Sequence, residues 1–276
     1  MSKIENFETE ITTLDRKRTV WVYLPDNYNE HGKALPVIYM HDGQNLFYDR
    51  LTAYGKAWHV DKVLDDIFAH TGKSCIVVGV ECHDKCRMSE YSPWKIYPLP
   101  FHDKRHILKD KANCGGDGKQ YADWFVNTLK PYIDSHYNAD TCRAATAVAG
   151  SSMGGLISCY IGINYQHVYE TMGLFSSYTE FNQHAFARFM RQTPQTELQH
   201  AFIYCGGKEW GDDIPRNQRI ENSSCVLYKT LVKRNIACEL VLDSELPHYE
   251  TAWETYFYDF ARAFLNRYYN QPQKQL

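Results

Sequence analysis

The chain has 276 residues, 44% of them apolar and 14% aromatic, enough for one large α/β domain with a sizeable core. Its formal charge of −3, with acids and bases mixed along the chain, offers no basic stripe for nucleic acid and no polybasic membrane anchor. No apolar run approaches the roughly 18 residues that span a bilayer, so the expected partner is a small molecule.

In chain order, the first ten residues are polar and acidic and lack the basic and apolar regions of a secretory signal. Nine cysteines, an odd number scattered through expected strands and helices, read as reduced thiols of a cytoplasmic protein. Val20 to Leu24 alternates and ends at Pro25-Asp26, a strand and a turn, and Pro36 to Met40 is a short buried strand. From Trp58 the period turns helical, with Val60, Val63, Leu64, Ile67 and Phe68 on one face. Cys75 to Val80 is again a buried strand.

The stretch from about 82 to 118 has no clean period and is rich in Pro, Gly, His and aromatics. It reads as a surface excursion, either a lid or a contact between copies in a homo-oligomer. Cys82 and Cys86, with His83 between them, have no second pair at zinc spacing, so no metal is expected. Tyr121 to Tyr132 marks an amphipathic helix bent near Pro131. Ala144 to Ala149 is a buried strand of small residues that runs into Gly150, and a helix begins near Met153. Strands near 172–175, 201–204 and 237–242 and helices near 216–234 and 249–268 follow; in the last, Trp253, Phe257, Phe260 and Phe264 keep the 3.6 period.

No repeat or linker divides the chain, so a single domain over 1–276 is expected. The alternation of strands and helices implies a mostly parallel central sheet with helices on both faces. In such sheets ligands sit at the carboxyl ends of the strands.

Gly150-Ser151-Ser152-Met153-Gly154 matches G-x-S-x-G at one of those ends. Chance produces the pattern in about one chain in ten of this length, so its context carries the argument. A small-residue strand before it and a helix after it form the turn that lifts a serine hydroxyl above the sheet. A serine hydroxyl needs an adjacent base. Of the twelve histidines, His248 alone lies in a loop after the last strand and before the last helix, where chain order puts the base. The acid falls between them, after the strand Ala201 to Tyr204, with Glu209 nearest and Asp212 and Asp213 as rivals. Two N–H donors for the oxyanion are expected from Met153 and, in the loop after Met40, from Gln44, with Gly43 turning the backbone inward.

These residues give the chain a resemblance to the esterase family that includes enterobactin-type siderophore esterases, feruloyl esterases, S-formylglutathione hydrolase and the mycolyltransferases. It rests on Val37 to Phe47 with its H-D-G-Q-N core, Trp58 with Asp61, Arg87-x-x-Glu90-Tyr-Ser-Pro93, and Tyr121 to Tyr137 leading into Ala149 to Leu156. It spans nearly the whole chain and implies the α/β-hydrolase fold, a serine mechanism without a cofactor, and the Met153 and Gln44 donors. The family's acid is usually Asp, so Glu209 departs from the pattern.

Such a core serves many acyl and alcohol groups. The pocket candidates are Asp42, which also suits a role holding its own loop, with Trp58, His59, Arg87, Glu90, Tyr91 and Trp94. Trp94 with Tyr97, Phe101 and His102 lies on the excursion read as a lid or a dimer contact, and Arg87 with Glu90 reads equally as a structural ion pair. The expected activity is hydrolysis of a soluble short-chain or aryl ester. Acyl transfer, thioester cleavage and a non-catalytic binding module are the alternatives.

Overall fold

The computed structural model describes residues 1–28, 32–53, 55–83, 85–96 and 114–271. Eight strands form one sheet in the order β1-β2-β4-β3-β5-β6-β7-β8. The hairpin of β1 (Lys3–Ile11) and β2 (Arg16–Leu24) lies at one edge, and β2 runs antiparallel to β4 (Ile76–Val80). From there β3 (Val37–His41), β5 (Thr146–Ser151), β6 (Thr171–Phe175), β7 (His200–Lys208) and β8 (Ala237–Pro247) all pair in parallel.

The central strands VIYMH, IVVGV and TAVAGS are buried along their full length, because helices cover both faces of the parallel part. Ile38, Met40, Ala147, Ala149 and Phe175 pack with Val60, Leu64 and Ile67 of α1 (Val60–Thr71) and with Phe257, Phe260 and Phe264 of α8 (Glu250–Asn270). On the other face, Val37, Tyr39, Val148, Leu174 and Ile203 meet the remaining large helices. After the single turn α2 (Arg87–Glu90), these are α3 (Gly118–Trp124), α4 (Lys130–His136), α5 (Met153–Asn164), α6 (Gln183–Gln192) and α7 (Ile214–Val232). Every residue of α5 from Met153 to Ile163 is buried, as its all-round apolar surface requires. The mostly parallel sheet with helices on both faces is as the alternation implied, and the arrangement is the α/β-hydrolase fold that the resemblance implied.

Four local features differ from the sequence reading. β1 exists although its sequence is acidic: Asn6, Glu8 and Glu10 face water while Phe7, Thr9 and Ile11 turn inward against β2. The bend before Pro131 takes the form of a π-helical segment, Phe125–Leu129, because proline supplies no N–H and its ring displaces the carbonyl four residues back. α6 had not been expected; Asn182 caps it by accepting from Ala185 N at 3.0 Å, and Phe186 and Met190 carry its buried face. β8 runs five residues beyond Leu242, through an irregularity between Gly206 and Lys208 that pairs Lys208 with Pro247.

Within the excursion, α2 is one ordered turn, and a bridge between Lys95 and Gly115 joins its two ends. Tyr97, Phe101 and His102 lie outside the described residues. Among the described residues no helix is long and apolar enough to cross a membrane.

Candidate active site

Four adjacent strands, β5 to β8, deliver Ser152, Ser176, Glu209 and His248 to one edge of the sheet. Ser152 has φ 56° and ψ −117°, a conformation that ordinarily costs of order 1–3 kcal/mol and persists only where the surroundings fix it. They do so here: Ser152 N donates to Phe175 O at 2.9 Å, and Ser152 O accepts from Leu156 N at 3.1 Å and Tyr178 N at 2.9 Å. Gly150 is required by close approach, since a Cβ there would stand 2.8 Å from the backbone of Gly154.

Glu209 is buried just beyond β7. Its Oε1 accepts from Gly206 N at 2.7 Å and from Ser176 Oγ at 2.6 Å, and its Oε2 meets His248 Nδ1 in a short hydrogen bond. The rival acids are engaged or turned away: Asp213 caps α7 through Arg216 N at 3.1 Å, and Asp212 is exposed. A carboxylate only accepts, so Nδ1 carries a proton, and in the neutral ring that leaves the lone pair on Nε2, the tautomer a general base needs. The His248 ring also stands edge to face with Trp253, centroids 4.9 Å apart at 87°. His41, at the end of β3, is a different kind of histidine. Burial pushes it down to about 3, so it stays neutral, with Nδ1 on Tyr121 Oη at 2.9 Å.

Met153 opens α5, where the first N–H groups have no acceptor within the helix. Gln44 lies in a 3-10 turn, Gly43–Asn45, whose first bonded N–H is that of Asn45, reaching Asp42 O at 2.8 Å. Its side chain is fixed at both ends: Oε1 accepts from Cys82 N at 3.1 Å and Nε2 donates to Cys82 Sγ at 3.1 Å. The left-handed residue of this loop is Asp42, at φ 58°, not Gly43. Gly43 serves close approach instead, since a Cβ would fall 2.5 Å from Gly79 O on β4.

The Asp42 carboxylate takes two hydrogen bonds from Arg87, from Nε and Nη2, each of 2.8 Å, and its N–H donates to Tyr91 Oη at 3.0 Å. Burial would raise the Asp42 carboxyl, but the adjacent guanidinium holds it below its ordinary value. Arg87 also stacks over the Tyr91 ring at 5.3 Å. Asp42, Arg87 and Tyr91 thus clamp the loop that carries Gln44.

The structure places the expected pocket residues as follows. Glu90 is 0% exposed and binds Arg16 at 2.9 Å and Arg18, so it pairs with neither Arg87 nor solvent. Tyr91 is equally buried, and Trp58 packs into the core among Phe175, Trp253 and Phe257. His59 lies between Asp49 at 3.0 Å and Glu254 at 3.1 Å. Trp94 packs on Tyr160, Phe186 and Phe189. A groove of about 660 Å³ runs between α6 and α7, lined by Phe186, Met190, Val226 and Leu227 among others, but none of its lining residues is Ser152, Glu209 or His248. Two residues at the site escaped the sequence reading, Ser176 and the indole N–H of Trp253. Ser176 stands directly after a buried strand, a place that by itself names no partner.

The family model described as "Putative esterase" matches residues 11–255. "Uncharacterized protein YbbA" of Bacillus subtilis (strain 168) is 24% identical over 160 residues, 58% of this chain and 56% of that protein. The chain therefore matches little more than half the length of that curated relative. Among solved structures, an IroE-like serine hydrolase from Shewanella oneidensis superposes with a TM-score of 0.73 at 17% identity, covering 96% of this chain and 80% of the other. A ferulic acid esterase gives a TM-score of 0.69 at 16% identity, covering 97% and 99%. At such identities the likeness is one of fold.

Proposed function

Because this chain belongs to the esterase family, we propose that it is a serine esterase that hydrolyses a soluble short-chain or aryl carboxylic ester through an acyl-enzyme. The observation that carries this reading is the buried Glu209 held on His248 Nδ1, at the same sheet edge as Ser152 in its elbow conformation. Ser152 Oγ attacks the ester carbonyl while His248 Nε2 takes its proton. Glu209 stabilises the imidazolium that forms. The tetrahedral oxygen then draws on the N–H groups of Met153 and Gln44, which stabilise the charge that develops on it. His248 returns the proton to the leaving alcohol, and water, activated by the same imidazole, releases the acid.

The aryl preference draws support from the ferulic acid esterase among the structural neighbours. The His248 side chain, 36% exposed, leaves the reacting centre open to a soluble substrate. A panel of p-nitrophenyl acetate, butyrate and octanoate with an aryl ester such as methyl ferulate, run with wild type and Ser152→Ala, tests the proposal. Wild-type turnover with a fall of about 10⁶ in kcat for Ser152→Ala is the expected result. Equal rates in the two proteins rule out Ser152 as nucleophile.

A further inference from the structure

We infer that Ser176 and Trp253 are positioning residues for the Glu209 carboxylate, so that Trp253 donates to Ser176 and Ser176 to Glu209, which accepts from His248 through its other oxygen; this rests on the serine-esterase reading above. A glutamate has one more rotatable bond than an aspartate and needs more anchoring to present one oxygen to an imidazole. Here Oε1 is occupied by two donors, Gly206 N at 2.7 Å and Ser176 Oγ at 2.6 Å, which leaves Oε2 for His248.

The direction of the serine hydroxyl is set in turn. Trp253 Nε1 donates to Ser176 Oγ at 3.1 Å, so the serine oxygen is the acceptor there and its own proton points at Glu209. Ser176 is 2% exposed and held in the left-handed region at φ 45°, with its N–H on Tyr204 O at 2.7 Å. A non-glycine residue in that region needs a local reason, and the bond to Glu209 supplies one. Trp253 holds the other end as well, since its ring walls His248 at 4.9 Å. The pair is thereby fixed from both sides.

The test measures kcat, KM and the pH–rate profile of Ser176→Ala and Trp253→Phe with an aryl ester, with melting temperatures alongside. Loss of a hydrogen bond to a charged group predicts a fall in kcat of about ten- to a hundredfold for Ser176→Ala with KM unchanged. Trp253→Phe, which keeps the ring and loses the N–H, shows the same pattern more weakly. The acid limb of the profile moves to higher pH in both, because a carboxylate with weaker donors holds the imidazolium proton more tightly. A merely structural loss lowers the amount of folded enzyme and leaves that limb in place. Wild-type kcat and limb in both folded variants, while the wild type is active through Ser152, overturns the inference and leaves the esterase reading intact. A wild type that neither hydrolyses esters nor reacts at Ser152 overturns both.

Discussion

Glu209 carries one methylene more than the aspartate usual in this family, and its carboxylate folds back onto Gly206 N, three residues earlier in the chain. Replacing it with Gln keeps the shape but offers His248 an amide, which no longer stabilises the imidazolium. Glu209→Gln is expected to lower kcat about 10⁴-fold with KM little changed, measured by steady-state kinetics on an aryl ester.

A second carboxyl, Glu250, is 2% exposed at the start of α8, and its Oε2 has no hydrogen-bond partner among the described residues. Burial raises it above its ordinary 4.5. The sign follows from linkage: the folded state holds this proton more tightly than the unfolded chain, so the fold loses stability as pH rises past 4.5. Glu250→Gln should therefore melt higher than wild type at pH 8, with the gap closing toward pH 4. A gap that stays constant with pH contradicts this account of Glu250. At this scale the sequence was most legible where chain order constrains the choice: it set Ser152 and His248 at strand ends, where the structure has them. Ser176 was hidden because a serine after a strand carries no signature until its partner is in place.

The loop after β3 and the single turn α2 hold each other through a buried ion pair, Asp42 with Arg87. Breaking one half leaves a buried charge without a partner, whereas removing both charges leaves none. Arg87→Met is expected to destabilise by about 3–5 kcal/mol, and Asp42→Asn with Arg87→Met by clearly less, read from urea denaturation. A double variant whose loss equals the sum of the Asp42→Asn and Arg87→Met losses would show the pair to be uncoupled. Likewise Gly150→Ala, which forces β5 from the N-terminus of α5, should cost about 1–3 kcal/mol and lower kcat as the elbow shifts.

The elements easiest to read were the fully buried strands, whose unbroken apolar runs need no partner to be recognised. β1 was obscured by the glutamates on its wet face, and α6 by an apolar face of only two buried residues, Phe186 and Met190. Trp58, Glu90 and Tyr91 are residue types found in binding sites, and their burial in the core and, for Glu90, against the Arg16 and Arg18 guanidinium groups is not legible from the sequence.

At the scale of the molecule, the parallel order from β4 to β8 determines which loops meet. The residues after β5, β6, β7 and β8 come from positions 152, 176, 209 and 248, almost a hundred residues of chain brought to one edge. The sheet was predictable because alternating strands and helices admit few topologies. The substrate was not, because its walls depend on loops whose sequences carry no period.

The claim that this edge is a serine esterase site is tested most directly by treating the protein with a fluorophosphonate and mapping the adduct by peptide mass spectrometry. One adduct per chain, on Ser152, lost in Ser152→Ala and strongly slowed in His248→Ala, is the predicted result. No adduct, or an adduct on another residue with ester turnover unaffected in Ser152→Ala, would contradict it.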